Sequence, residues 1–206
     1  MKSRKLYYIS QVTPLFLRSG ASRLKVDEIA ASVGVTKKTL YNYFESKQQL
    51  IECIIDEYLK SKELEIWQIL RESTNPIAGL VQIGCLYATT ILDCNQLITS
   101  RSKLALVQPM QQILLKHRNK FIDLIRHTFK KGIANDLFEN SLDTDTTSQM
   151  YITMLEAAFH DQRHLQPPPI NEQKLNKMLY YLIKGCCTPK GVDTLRGALD
   201  IRVESI

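Results

Sequence analysis

Few residues in this 206-residue chain are placed to do chemistry of their own. Glu156, His160 and His164 recur at every fourth position, with Asp161 beside them, and would share one helix face. Carboxylate and imidazole are proper zinc ligands. At a rise of 1.5 Å per residue, however, Glu156 and His164 stand about 12 Å apart along a helix, too far for one ion to hold all three. The cluster reads as a polar stripe, and no metal site is assigned. The five cysteines are Cys53, Cys85, Cys94, Cys186 and Cys187. An odd count without a CxxC pair argues for free thiols. The neighbours Cys186 and Cys187 could sense oxidants or could be small core residues at a helix end. The sequence carries no G-x-S-x-G elbow, phosphate-cradling loop or H-E-x-x-H pair. Neither an enzyme nor a cofactor is expected.

The chemistry left open is recognition of a polyanion. Residues 1–50 hold nine Lys/Arg (Lys2, Arg4, Lys5, Arg18, Arg23, Lys25, Lys37, Lys38 and Lys47) against Asp27, Glu28 and Glu45. The other 156 residues are balanced, so the whole net charge of +6 sits in the first quarter of the chain. A basic head on a neutral body is the footprint of a nucleic-acid binder. Within that head, Thr36-Lys37-Lys38-Thr39-Leu40-Tyr41-Asn42-Tyr43-Phe44 puts Leu40 and Phe44 on one face of a short helix. Lys37, Lys38, Tyr41 and Asn42 are left to face outward. Lysine suits guanine acceptors or phosphates, and asparagine can pair with adenine. Tyr43 and Lys47 suit phosphate contact. The plain alternative is a solvated basic face on an ordinary bundle.

The elements that must position these residues are helical almost throughout, because no strand-length run alternates polar and apolar residues. The first helix is predicted from about Lys5 to Ser19, stopped by Gly20 and loosened by Pro14. The second covers about Val26 to Val33, with Gly34 breaking it. The third covers about Lys37 to Phe44, capped by Thr36. Two short helices around a glycine turn form a helix-turn-helix. Ser46 and Gln49 then make a capping box for a long helix to about Glu72. Five more helices are predicted at about 77–94, 97–107, 109–132, 143–165 and 171–187. The Pro167-Pro168-Pro169 run interrupts helix, and residues 188–206 read as a tail. No apolar run is read as approaching the roughly 20 residues of a membrane span, and no leader is visible. A cytoplasmic protein without a membrane partner is expected.

The stretch from Ile9 to Leu50 resembles the DNA-binding domain of TetR-family regulators. The resemblance rests on Phe16, Gly20, Val26-Asp27-Glu28-Ile29-Ala30, Gly34-Val35-Thr36, Leu40-Tyr41 with Tyr43-Phe44, and Ser46-Lys47 with Leu50. Two positions depart from it. Thr13-Pro14 stands where small helix formers are usual. Lys25 stands where a capping threonine is usual, and could reach phosphate instead. The resemblance implies an all-α fold of about nine helices: a helix-turn-helix domain over 1–46, a ligand-binding and dimerisation bundle over 47–187, and the tail 188–206. It implies DNA contacts from Lys25, Thr36 (through its backbone amide), Lys37, Lys38, Tyr41, Asn42, Tyr43 and Lys47.

For the body, the resemblance implies a small-molecule pocket between the helices near 77–132, and Trp67, Tyr87, Thr90, Phe121, Ile125 and Tyr151 are its expected lining. All six would serve equally as core. It further implies a homodimer closed by the last two helices. Leu175, Met178, Leu179, Leu182 and Ile183 form the apolar stripe of one. Met150, Tyr151, Met154, Leu155, Ala158 and Phe159 lie on the other, with Met154 and Ala158 assigned to the interface. Plain intramolecular core is the alternative. The expected function is a repressor released from a near-palindromic double-stranded operator by a small molecule of unknown identity. A similar DNA-binding protein governed by a protein partner is the alternative. A closed cavity in the body would favour the first and an exposed apolar groove the second.

If the basic head binds phosphates, log K for duplex DNA should fall with log salt by roughly 0.9 per phosphate neutralised, with about six contacts per dimer. A fluorescence-anisotropy titration over a salt series checks this; a nearly flat response removes DNA binding as the main activity.

Overall fold

The computed structural model describes residues 2–21, 23–98, 108–159 and 171–199. Among the described residues the chain forms nine helices and no strand: α1 (Lys2–Ser19), α2 (Val26–Ser32), α3 (Lys37–Tyr41), α4 (Lys47–Glu72), α5 (Pro76–Ile98), α6 (Gln108–Ala134), α7 (Thr144–Phe159), α8 (Glu172–Lys184) and α9 (Pro189–Leu199). They divide into two compact units, Met1–Lys62 with Leu92–Arg118, and Glu63–Ile91 with Asn119–Ile206.

In the first unit, Val12 and Phe16 of α1, Ile29 of α2, Leu40 and Phe44 around α3, and Leu50 and Ile54 of α4 are buried together as core residues. Helix α1 runs unbroken through Pro14, which is exposed and gives up one backbone donor on the solvent side. The neighbouring Thr13 hydroxyl donates to the Ile9 carbonyl at 2.7 Å. Helix α4 begins as its capping box requires: the Gln49 amide donates to Ser46 Oγ at 3.0 Å. The Gln49 Oε1 accepts from the Glu45 amide at 2.8 Å, one residue before the Ser46 amide that a full capping box would use. Further along α4, Asp56 gathers three cationic or imidazole side chains. Its carboxylate lies 2.6 Å from Lys60 Nζ, 3.1 Å from Lys116 Nζ and 2.8 Å from Nε2 of the fully buried His117.

In the second unit, α5 passes close to α7 and α8. A Cβ at Gly84 would collide with the Tyr151 hydroxyl and the Leu179 side chain. Tyr151 is fully buried and donates to the Leu80 carbonyl at 2.5 Å. Phe129 stacks on Phe138 and Tyr151, with centroids 5.0 and 6.4 Å away. The loop after α6 pairs with the turn after α8. The Glu139 amide donates to the Cys186 carbonyl (3.0 Å) and the Thr188 amide to the Leu137 carbonyl (3.1 Å).

Several boundaries differ from those predicted. Helix α3 ends at Tyr41, not Phe44, because the Tyr43 and Phe44 amides both turn back onto the Leu40 carbonyl. Residues 97–98 of the predicted 97–107 helix belong to α5, and 99–107 lie outside the described residues. So do His160, Asp161, His164 and the Pro167–Pro169 run. The segment read as a tail contains α9, which Thr188 caps by accepting from the Gly191 amide (3.1 Å) with Pro189 in the first turn. Leu195 of α9 is buried. The statement that no apolar stretch reaches membrane-spanning length is also corrected. Pro76–Asn95 of α5 is 20 residues long with mean hydropathy 1.5. Ile77, Leu80, Ile83, Tyr87 and Ala88 within it are buried in the unit, as expected of a core helix.

Burial alone would raise the Asp56 carboxyl, but hydrogen bonds from Lys60, His117 and Lys116 outweigh it and hold the group well below the usual carboxylate range. A carboxyl lowered in the folded state stabilises above its unfolded value of about 3.9, and the contribution is lost as pH falls toward the folded value. Asp56→Ala should therefore lower unfolding stability by about 1–3 kcal/mol at neutral pH. Its deficit against the parent should shrink below about pH 4. Urea titrations at a series of pH values check this; a deficit that does not vary with pH would show that the charge is not what Asp56 contributes.

Candidate nucleic-acid interface

The loop leaving α1 turns on Gly20, at φ 74°, whose amide closes on the Phe16 carbonyl at 2.8 Å. Helix α2 opens at Lys25, where the Glu28 carboxylate accepts from the Lys25 amide at 2.8 Å. The Lys25 ammonium has no lone pair to offer, so this supplies half of a capping box. Lys25 itself is exposed. At the other end of α2 the Gly34 amide bonds the Ala31 carbonyl (3.1 Å) and the Val35 amide the Ala30 carbonyl (3.0 Å). Gly34 stands at φ 69°. This is a Schellman stop, and it needs a residue free to adopt the left-handed conformation. Two residues on, Thr36 Oγ1 accepts from the Thr39 amide at 3.1 Å and caps α3.

The cap and the two buried residues Leu40 and Phe44 fix α3, and they determine what it presents. Lys37, Lys38, Tyr41 and Asn42 are all exposed, Tyr41 by 39%. Lys37 also lies 3.6 Å from Asp27 in an open ion pair, which water screens heavily. Tyr43 is half-buried, its ring edge-on to that of the buried Tyr8 at 5.1 Å. The Arg4 guanidinium is near enough to Tyr43, and to Tyr8, for them to raise its pKa, and sequence reasoning did not place it at this face. Lys5 lies 5.1 Å over the Phe44 ring. The signal for Arg4 was the i,i+4 pair Arg4/Tyr8 on α1, which a helix drawn only from Lys5 could not contain.

Lys47 is placed differently from the other lysines. Its ammonium donates to the Leu24 carbonyl at 2.6 Å. Burial lowers its pKa, offset in part by Glu28. It ties the start of α4 to the loop before α2 and keeps two further N–H donors, so the tether leaves the expected phosphate contact open.

In the second unit the residues expected around a ligand are largely packed. Tyr87, Thr90, Phe121, Ile125 and Tyr151 are buried. Tyr87 donates to Glu156 (3.0 Å), Thr90 to the Leu86 carbonyl (2.7 Å), and the Tyr87 and Phe121 rings meet edge-on at 5.1 Å. Trp67 is 49% exposed and lines a separate surface cavity. The expected dimer stripe is also divided. Leu175, Leu179 and Ile183 are buried in their own subunit. At Gly84 the missing side chain lets α5 lie directly against Leu179. Met178, Leu182, Met154 and Ala158 are half-exposed. Met150, on the helix expected to supply the partner face, and Tyr181, which was not expected there, are 54% and 67% exposed. Cys186 and Cys187 hydrogen-bond the carbonyls of Leu182 and Ile183. Burial raises both thiols, that of Cys187 to about 12, so neither is a ready thiolate.

Residues 13–54 match the family model for bacterial regulatory proteins of the tetR family. The HTH-type transcriptional repressor KstR2 of Mycolicibacterium smegmatis is 22% identical over 194 residues, covering 90% of this chain and 91% of the relative. Two solved structures share the fold. A transcriptional regulator from Cytophaga hutchinsonii superposes with a TM-score of 0.75 at 19% identity, over 88% of this chain and 97% of that one. FadR from Bacillus subtilis, in complex with stearoyl-CoA, gives 0.62 at 19% identity, over 87% and 98%.

The two kinds of lysine are separable. Lys47→Gln should lower stability by about 1 kcal/mol through the lost bond to Leu24. Lys38→Gln should change stability by less than about 0.5 kcal/mol, as surface substitutions do, while weakening DNA binding. Urea midpoints beside anisotropy titrations read both; equal stability losses would mean the tether does not hold α4.

Proposed function

We propose that this chain, a transcriptional regulator of the TetR family, is an operator-binding repressor whose hold on DNA is released by a small molecule. The family is one of DNA-binding regulators, and the chain is not an enzyme. The observation that carries the reading is the outward set on α3. Lys37, Lys38, Tyr41 and Asn42 are exposed on a helix whose inner side chains, Leu40 and Phe44, are buried. A short helix so pinned can enter a major groove with its N-terminal residues at the base edges. Lys37 and Lys38, at that N-terminal end, then serve guanine or phosphate, Asn42, the C-cap residue just past Tyr41, reaches a base from the other end of the helix, and Lys25, Tyr43 with Arg4, and the Thr36 amide hold the backbone. Repression follows the name of the mycobacterial relative. Release by a small molecule is supported by the ligand-bound FadR neighbour.

The reading includes a homodimer in the cytoplasm. Its face is the outer side of α7 and α8, where Met150, Met154, Met178, Tyr181 and Leu182 leave apolar surface half or fully open. Two copies would set two α3 helices on half-sites about 34–36 Å, or a multiple, apart. An effector releases DNA when it binds more tightly to a subunit geometry with the wrong separation. In the interior, a ligand that accepts from Tyr87, Thr90 or Tyr151 must displace the acceptor each now uses within the chain.

Footprinting on genomic DNA should find a near-palindrome. On that site Asn42→Ala should lose about 1–3 kcal/mol of operator binding and far less of random-DNA binding. Met150→Glu with Tyr181→Glu should sediment as a folded monomer with collapsed operator affinity. An unchanged operator-to-random ratio for Asn42→Ala overturns the groove assignment, and a stable dimer of the double variant moves the interface elsewhere.

A further inference from the structure

The surface cavity beside Trp67 is built differently from the interior of its unit. It has a volume of about 210 Å³ and lies where the end of α4, the turn into α5 and the last turns of α6 meet. Its uncharged polar walls are already committed. Ser73 Oγ donates to the Ile69 carbonyl at 2.6 Å, and Thr128 Oγ1 to the Leu124 carbonyl at 2.8 Å. Three basic side chains also line it: Arg71, His127 and Lys131. All three are exposed, and among the described residues none has a carboxylate partner. By contrast, Lys60, Lys116, Lys120 and Arg126 all lie against Asp or Glu. Trp67 adds an indole with half its surface open.

The geometry points to a binding site for a small organic phosphate that carries a planar ring. The phosphate would sit among Arg71, Lys131 and His127, and the ring would stack on Trp67. An arginine fork and a lysine together match a phosphate. An open indole is a sequence-tolerant platform for a flat base. Size restricts the class: the cavity is smaller than the roughly 300–1,000 Å³ of sites for drug-sized ligands. A ring with one phosphate is admitted, and a long acyl chain is not. This deepens the effector reading by giving it a site and a ligand class. Its test needs no DNA, so its failure leaves the operator-binding reading untouched.

Trp67 is the chain's single tryptophan, so its fluorescence reports on this cavity alone. The full-length protein is titrated with adenosine monophosphate, with adenosine and with inorganic phosphate, and calorimetry is run alongside. The monophosphate should give a saturable change, with adenosine and phosphate each at least tenfold weaker. Arg71→Gln with Lys131→Gln should weaken the monophosphate at least tenfold, with an unaltered thermal midpoint because both residues are exposed. No saturable binding by either readout, or monophosphate binding unaffected by the double variant, overturns the proposal. Adenosine binding as tightly as the monophosphate would remove the role of the cations, and phosphate binding as tightly would remove that of the ring; either result also overturns it.

Discussion

The outward basic surface of the first unit depends on a helix too short to stand by itself. Five residues of α3 form barely more than one turn, and nucleating a turn fixes several dihedrals for one hydrogen bond. The surrounding chain supplies the order. Gly34 turns the backbone out of α2 in the left-handed region, and the amides of Gly34 and Val35 close the end of that helix. Thr36 then caps α3, and Leu40 and Phe44 anchor it in the core. The demand at Gly34 is torsional. A Cβ there would meet nothing within 4 Å, yet φ 69° is strained for an L side chain.

The same anchoring separates charge from role. The first 50 residues carry the entire net charge of +6, but their cations are not equivalent. Lys47 is bound to a backbone carbonyl and loses basicity to burial. Lys37 shares its charge with Asp27. Arg4 has its pKa raised by the neighbouring Tyr43. Formal charge predicts long-range attraction, which acts before contact. Contact roles follow from which donors the fold leaves uncommitted.

The head was legible in the sequence because its determinants are local. A glycine past a helix end, a threonine before the next, and an i,i+4 apolar pair each act within a few residues. What buries the apolar stripe of α8 was not legible, for a physical reason. A stripe such as Leu175, Leu179 and Ile183 states that a face is buried and says nothing of what buries it. That was decided by Gly84, about ninety residues earlier in the chain, whose missing side chain admits α5 against Leu179. Helix α9 is a different case. Thr188-Pro189 is a cap followed by a first-turn proline, a signal as local as Thr36 and open to the same reading. The shortfall at Trp67 was of the first kind. Periodicity along α4 cannot tell a core aromatic from one at the open end of a helix.

The contrast between interior and surface cavity follows from counting donors. Tyr87, Thr90 and Tyr151 donate their hydroxyl protons inside the chain, so a ligand that accepts from one of them must break the bond it replaces. A buried hydroxyl left unpaired meanwhile carries a desolvation cost of about 1–3 kcal/mol. At the Trp67 cavity, Ser73 and Thr128 are committed in the same way, but Arg71, His127 and Lys131 face water. A ligand there displaces only solvent. The interior therefore disfavours a guest that takes one of those hydroxyl protons without giving the displaced carbonyl or carboxylate a new donor. The surface cavity accepts an anion without rearranging the core.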